Sequence, residues 1–170
     1  MLNNHFKKWS RTVGCALFCC WLTGNALFAQ DINEAWVKAN YTKREEMIPM
    51  RDGAHLYTAI YEPIHSQKPS PILFTRTPYK AAPYGETMSN RLWRNWQKYA
   101  REKYIFVIQD VRGRWKSEGE FINVRPFVSE KEKNGKIDEA SDVYDTAEWL
   151  IYHTRNNNGN IGIIGSSYSG

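Results

Sequence analysis

Apolar and polar residues change rhythm several times along this chain, and each change marks an element. From Glu45 the order Met47-Ile48-Pro49-Met50, then Arg51-Asp52-Gly53, then Leu56, Thr58 and Ile60 predicts two strands joined by an Asp-Gly turn, a β-hairpin. Pro63 and the polar stretch from His65 to Ser70 end it. Pro71-Ile72-Leu73-Phe74-Thr75 is a short unbroken apolar run suited to a buried strand, and Arg76-Thr77-Pro78-Tyr79 is its exit loop. Leu92, Trp93, Trp96, Tyr99 and Ala100 recur at three- and four-residue spacings. Ser89 to Lys103 is therefore expected to be a helix capped by Ser89 or Asn90, with Trp93 and Trp96 in the core. Tyr104-Ile105-Phe106-Val107-Ile108 is a second buried-type strand.

The stretch from Asp110 to Lys136 is polar and glycine-dotted without a sustained period, and reads as a long surface excursion. Helical spacing returns at Ser141, where Val143, Ala147, Leu150 and Ile151 mark one face. Asp142 and Asp145 open this helix and His153 and Arg155 close it, each matching the sign of the helix dipole. Asn156-Asn157-Asn158-Gly159 stops it, and Ile161-Gly162-Ile163-Ile164 is a last strand. Hairpin, strand, helix, strand, helix, strand is the order of an α/β protein, with an antiparallel start followed by parallel strands and right-handed crossovers.

The first 29 residues have a different character. Lys7, Lys8 and Arg11 precede the apolar stretch from Val13 to Leu22, and a small-residue region ends at Ala29, the order of a secretory signal peptide. The apolar part is shorter than the roughly 20 residues of a membrane-spanning helix, so export to the periplasm or the medium is expected rather than a stable span. A short retained membrane-facing helix and a lipoprotein acylated at Cys15 are the competing readings. Residues 30 to 170 are then one portion of a catalytic domain. All three cysteines and three of the 23 basic residues, but none of the 18 acidic ones, lie in residues 1–29, so net charge falls from +5 to +2 without them. That removes the support for a nucleic-acid partner, and it excludes a disulfide framework or thiol nucleophile in the remainder. His55, His65 and His153 show no paired ligand spacing, so neither a metal nor another cofactor is expected.

The candidate chemistry lies at Gly165-Ser166-Ser167-Tyr168-Ser169-Gly170. A nucleophile elbow turns so tightly from strand to helix that small residues must stand two before and two after the serine. Ser167 has Gly165 and Ser169 at those places, whereas Ser166 would have Ile164 and Tyr168. Ser167 is thus the candidate nucleophile. In the fold that uses this turn it follows the fifth strand, and an oxyanion donor comes from the loop after the third, where Tyr79 lies. The backbone N–H of Tyr168 would be the second donor.

Arg76-Thr77-Pro78-Tyr79, Gln109-Asp110-Val111-Arg112-Gly113-Arg114, Ser117-Glu118-Gly119, Ala147-Glu148-Trp149-Leu150 and the Gly165 to Gly170 segment occur in one order. In that order, over roughly residues 41 to 170, the chain resembles the N-terminal part of the Xaa-Pro dipeptidyl-peptidase-like serine hydrolases, the group of cocaine esterase and the α-amino acid ester hydrolases. The resemblance implies the N-terminal part of an α/β-hydrolase fold and an acyl-enzyme at Ser167. It also implies an oxyanion hole made of the Tyr79 hydroxyl and the Tyr168 N–H, and a triad aspartate and histidine beyond Gly170. A helical cap and a C-terminal jelly-roll domain would follow. The substrate would be a small ester or amide, α-amino acyl compounds and Xaa-Pro peptides included. The opposing reading is a truncated, catalytically silent piece with at most a binding role. Asp110, Arg112 and Glu118 are expected to form an arginine-carboxylate network that fixes the long loop, with Trp115 packed beneath it.

Overall fold

The computed structural model describes residues 31–129 and 136–169, all but the first of which fall in one compact unit from Ile32 onward. The signal-peptide reading and the cysteines lie outside the described residues. Five strands form one sheet: β1 (Tyr41–Pro49), β2 (His55–Pro63), β3 (Ser70–Thr77), β4 (Ile105–Asp110) and β5 (Asn157–Ile163), in the spatial order β1-β2-β4-β3-β5. β1 pairs antiparallel with β2, and β2 antiparallel with β4. β4, β3 and β5 run parallel. The antiparallel start and the parallel continuation are as the hydrophobic pattern implied, and the sheet has the mixed α/β architecture of the N-terminal part of an α/β-hydrolase.

Side-chain alternation divides the core into two faces. Ala59, Tyr61, Leu73, Phe106 and Ile108 point to one side, where α1 (Glu34–Asn40), α2 (Arg91–Arg94) and α3 (Gln97–Arg101) add Val37, Leu92, Trp96 and Ala100. Leu56, Ile60, Ile72, Phe74, Ile105 and Val107 point to the other, where Leu150 of α4 (Glu139–His153) covers them. Both faces being covered explains why β3 and β4 read as unbroken apolar runs rather than as alternating strands.

Four departures from the sequence pattern have physical causes. α1 went unseen because only Val37 on it is buried; Asn33 caps it by accepting from the Trp36 N–H at 2.9 Å. The expected helix from Ser89 to Lys103 is two short pieces, since the chain turns at Asn95-Trp96 to lay the Trp96 ring flat on Phe106, centroids 5.3 Å apart at 3°. β5 begins at Asn157, because the asparagine run pairs with β3 through the Ser70 N–H to Asn156 carbonyl bond of 2.8 Å. α4 buries Ser141, Asp142, Thr146 and Leu150, while Ile151, read as part of its apolar face, is exposed. The helix is rolled toward polar residues because two arginines lie beneath it.

Those arginines are Arg76 at the end of β3 and Arg112 just past β4. Arg112 bonds both Asp52 (2.9 Å) and Asp142 (2.6 Å), and Arg76 reaches Glu139 (2.7 Å), Asp142 (3.4 Å) and the Gln109 side chain (2.9 Å). Gln109 in turn donates to Thr58 and to Thr146 of α4. An arginine-carboxylate network does fix the loop after β4, but its acids are Asp52, Glu139 and Asp142, not Asp110 or Glu118. Glu118 is exposed and accepts from the His55 backbone N–H at 2.8 Å. Gly113 adopts φ 67°, and a Cβ there would collide with the backbone of Glu120 and Phe121, so this loop folds back on itself only with glycine at that place.

Candidate active site

The loops that leave the C-terminal ends of β3, β4 and β5 gather at one edge of the sheet, the edge where open parallel sheets place their ligands. The Ile164 N–H donates to the Phe74 carbonyl at 2.9 Å, extending the β3 pairing one residue beyond β5. Gly165 and Ser166 follow, and Ser167 to Ser169 form a short 3-10 turn in which the Ser169 N–H donates to the Ser166 carbonyl at 3.2 Å.

Within this turn Ser167 stands at φ 58°, in the left-handed region that serine seldom enters, and it is exposed. Ser166 is not among the residues with positive φ. Backbone strain at the apex of a strand-to-turn junction is the geometry a nucleophile elbow imposes on its serine. The neighbouring Tyr168 is held through its ring: its hydroxyl accepts from the Val124 N–H at 3.4 Å, and the ring lies 6.1 Å from that of Phe121.

Tyr79, on the loop after β3, is 65% exposed. Its backbone is held far more firmly than its side chain. The Tyr79 N–H donates to the Thr77 hydroxyl at 3.0 Å, and the Pro78 carbonyl accepts from the Trp115 indole (2.9 Å) and from Arg114 (3.2 Å). Lys80 sits at φ 101°, with its ammonium 5.2 Å from the ring centroids of both Tyr84 and Trp115. The buried Asp110 carboxylate accepts from the Ala81 N–H (2.6 Å) and the Tyr84 hydroxyl (2.8 Å). Burial pushes the Asp110 carboxyl up, outweighing these bonds and the charge of Lys116, and burial followed by the Asp110 contact pushes the Tyr84 phenol up.

Tyr79 shares a cavity of about 640 Å³ with Gly165, Ser166 and Ser169, walled on the far side by Arg91, Asn95 and Trp96. Ser167 and Tyr168 line a second cavity of about 480 Å³ with Arg76, Val124 and Glu139, and Ser169 belongs to both. The turn is thus common to the two cavities, while Tyr79 and Ser167 face different ones. Among the described residues no histidine lines either. His55 is engaged with Glu118, and His153 stacks on Trp149 at 4.3 Å. Among the described residues no group of histidines and acids could hold a metal, and no helix is long and apolar enough to cross a membrane.

The model of the X-Pro dipeptidyl-peptidase (S15) family matches residues 52–170, a span that includes the exit loop of β3, the loop after β4 and the turn at Ser167. This chain belongs to the S15 family. Over 135 residues the chain is 35% identical to the cocaine esterase of Rhodococcus sp. (strain MB1 Bresler), which covers 79% of this chain and 21% of that protein. Among solved structures it resembles an aminopeptidase from a marine sediment Thaumarchaeota archaeon, with TM-score 0.64 and 37% identity over 76% of this chain and 22% of the other. An α-amino acid ester hydrolase matches with TM-score 0.63 and 37% identity, covering 87% of this chain and 24% of that one. The chain therefore spans between a fifth and a quarter of the length of these S15-like relatives. The family is one of serine hydrolases, esterases and peptidases among them.

Trp115 was assigned by sequence to packing beneath the loop, yet it is 55% exposed and lies over the Pro78 to Lys80 segment. A signal was present in its neighbours. Arg114 and Lys116 flank it on both sides, and tryptophan is itself large enough to be rarely fully buried. Thr77 and Asp110, which hold the Tyr79 loop, could have been suspected only from standing at strand ends.

Proposed function

We propose that this protein is an exported serine hydrolase that cleaves ester or amide bonds, α-amino acyl esters and Xaa-Pro peptides being the candidate substrates, through an acyl-enzyme at Ser167. The observation that carries the reading is φ 58° at Ser167, at the apex of the turn after β5. Serine hydroxyl oxygen attacks the substrate carbonyl while a histidine takes its proton; an aspartate orients that histidine, and both come from chain beyond Gly170. The negative charge that develops on the carbonyl oxygen is met by the Tyr168 N–H and by the Tyr79 hydroxyl. Tyr79 is exposed and lines one cavity with Gly165, Ser166 and Ser169 of the turn, and this role requires its side chain to swing from that cavity toward Ser167. The histidine gives the serine's proton to the departing alcohol or amine as the acyl-enzyme forms; it then takes a proton from the water that attacks the acyl carbonyl and returns it to the Ser167 oxygen as the acid leaves.

Export rests on Lys7, Lys8 and Arg11 preceding the apolar Val13 to Leu22 stretch, with cleavage after Ala29. N-terminal sequencing of the secreted product tests it, and a mature chain starting at Met1 would refute it. For the chemistry, a fluorophosphonate probe applied to the full-length protein labels Ser167, and Ser167→Ala abolishes the label. Persistent labelling of that variant would place the nucleophile elsewhere. Tyr79→Phe lowers the acylation rate by about 10²-fold if its hydroxyl is an oxyanion donor.

A further inference from the structure

Tyr79 is 65% exposed and its ring makes too little packing contact to fix its own direction, yet an oxyanion donor must reach its target to within a few tenths of an ångström. The backbone that carries the ring sets the point from which its two side-chain rotations start, and so the positions the hydroxyl can reach. That backbone is hydrogen-bonded at Thr77, Pro78, Tyr79 and Ala81, and the one group there that receives two side-chain donors lies immediately before the tyrosine. There the Pro78 carbonyl receives two donors, the Trp115 indole N–H at 2.9 Å and the Arg114 Nε–H at 3.2 Å, which occupy both of its lone pairs.

Proline adds to this, because its ring fixes φ and leaves the carbonyl plane to be set by whatever bonds the oxygen. On the other side Lys80 is kept at φ 101° with its ammonium between the Tyr84 and Trp115 rings, so the same indole that holds Pro78 also faces the residue after Tyr79. A lysine in that backbone region is strained, and it persists only where its surroundings hold it. Trp115 is itself at φ 54°, and the strained geometry turns its ring out over the Tyr79 loop rather than down into the core. A tryptophan that is more than half exposed contributes little to the core, so its placement is explained by what it holds.

We propose that Trp115, assisted by Arg114, is a positioning residue that fixes the backbone from which the Tyr79 hydroxyl reaches the oxyanion, through a two-donor clamp on the Pro78 carbonyl. The proposal rests on the reading of Tyr79 given above and adds the device that makes an exposed phenol usable. It also assigns a role to the Arg114-Trp115 pair on the loop after β4, linking that loop to the reaction without contact with the substrate.

The test is a double-mutant cycle on the full-length protein with a 4-nitrophenyl ester as substrate, using Trp115→Phe, Tyr79→Phe and the pair together. Phenylalanine keeps a ring beside Lys80 but removes the N–H donor. Trp115→Phe alone should lower kcat about tenfold with KM changed less than about twofold, since misaiming an oxyanion donor weakens transition-state and not ground-state binding. In the Tyr79→Phe background the same substitution should have almost no further effect. Equal losses in both backgrounds, or a change in KM alone, would overturn the clamp while leaving Tyr79 as an oxyanion donor. No loss in Tyr79→Phe itself would overturn both. Arg114→Leu carried through the same cycle provides a second arm should Trp115→Phe lower the melting temperature by more than a few degrees, and additivity there would equally overturn the clamp.

Discussion

The two faces of the sheet are built from the same five strands, yet they are held by different physics. On the side of α1 to α3 the core is an aromatic slab: Tyr41, Phe106 and Trp96 are in contact, with ring centroids 5.8 Å apart for the first pair and 5.3 Å for the second. Asp110, at the end of β4, meets the Tyr84 hydroxyl and backbone N–H groups directly. Under α4 an aliphatic floor gives way, toward the C-terminal ends of β3 and β4, to Arg76, Gln109, Arg112, Asp142 and Thr146. On the aromatic face the charged groups Lys43, Glu45 and Lys116 sit against the rings of Tyr57, Tyr61 and Tyr84. The α4 face fixes one helix orientation, because only that roll brings Asp142 to both arginines.

The contrast is broken most severely at Asp142. Asp142→Asn preserves shape and removes the charge that two buried guanidinium groups share, and the expected loss is about 3–5 kcal/mol of unfolding free energy. Urea or guanidinium melting of the folded unit gives the number; a loss below about 1 kcal/mol would show that Arg76 and Arg112 are satisfied without it. The aromatic face should respond to volume instead. Trp96→Phe, which keeps a ring against Phe106 and removes part of the buried surface, is expected to cost about 1–2 kcal/mol, and Trp96→Ala about 3–5 kcal/mol. Were the conservative change as damaging as the deletion, packing volume would not be what that face depends on.

The difference between the faces also governs what could be read from sequence. Apolar runs such as Ile72-Leu73-Phe74 and Ile105 to Ile108 betray buried strands because both faces are covered, and the hairpin turn at Asp52-Gly53 carries its own local chemistry. The resemblance and the turn at Gly165 to Ser169 were likewise visible, because small residues at fixed offsets are a local requirement. α4 is legible as a helix but not in its roll: a hydrophobic period cannot announce that Asp142 and Thr146 are the buried positions, since their partners Arg112 and Gln109 are 30 and 37 residues away. The same holds for the Tyr79 loop. Its residues were singled out, but the bonds from Trp115 and Asp110 that hold it exist only once β3 and β4 lie side by side.

The smallest expected effect separates the faces by the sign of a pH dependence. Burial pushes the Asp52 carboxyl up, but the hydrogen bonds and charge of Arg112 outweigh it and hold the group below the usual aspartate range. Asp110 goes the other way, above that range, because burial prevails over the bonds it accepts. Below an ordinary value of about 3.9, the unfolded chain binds more protons at Asp52 than the folded one does, so stability from that group is present above 3.9 and lost as pH falls through the depressed folded value. Above about 3.9 the folded chain binds more protons at Asp110, so that group's contribution declines as pH rises toward its raised folded value. Urea midpoints measured from acid to neutral pH should therefore change in both windows, and each substitution should flatten one: Asp52→Asn the lower, Asp110→Asn the upper. If Asp110→Asn instead removed a rise in stability with pH, the neutral donors around Asp110 would be stabilising its charge as Arg112 stabilises Asp52, and the two faces would not differ in this respect.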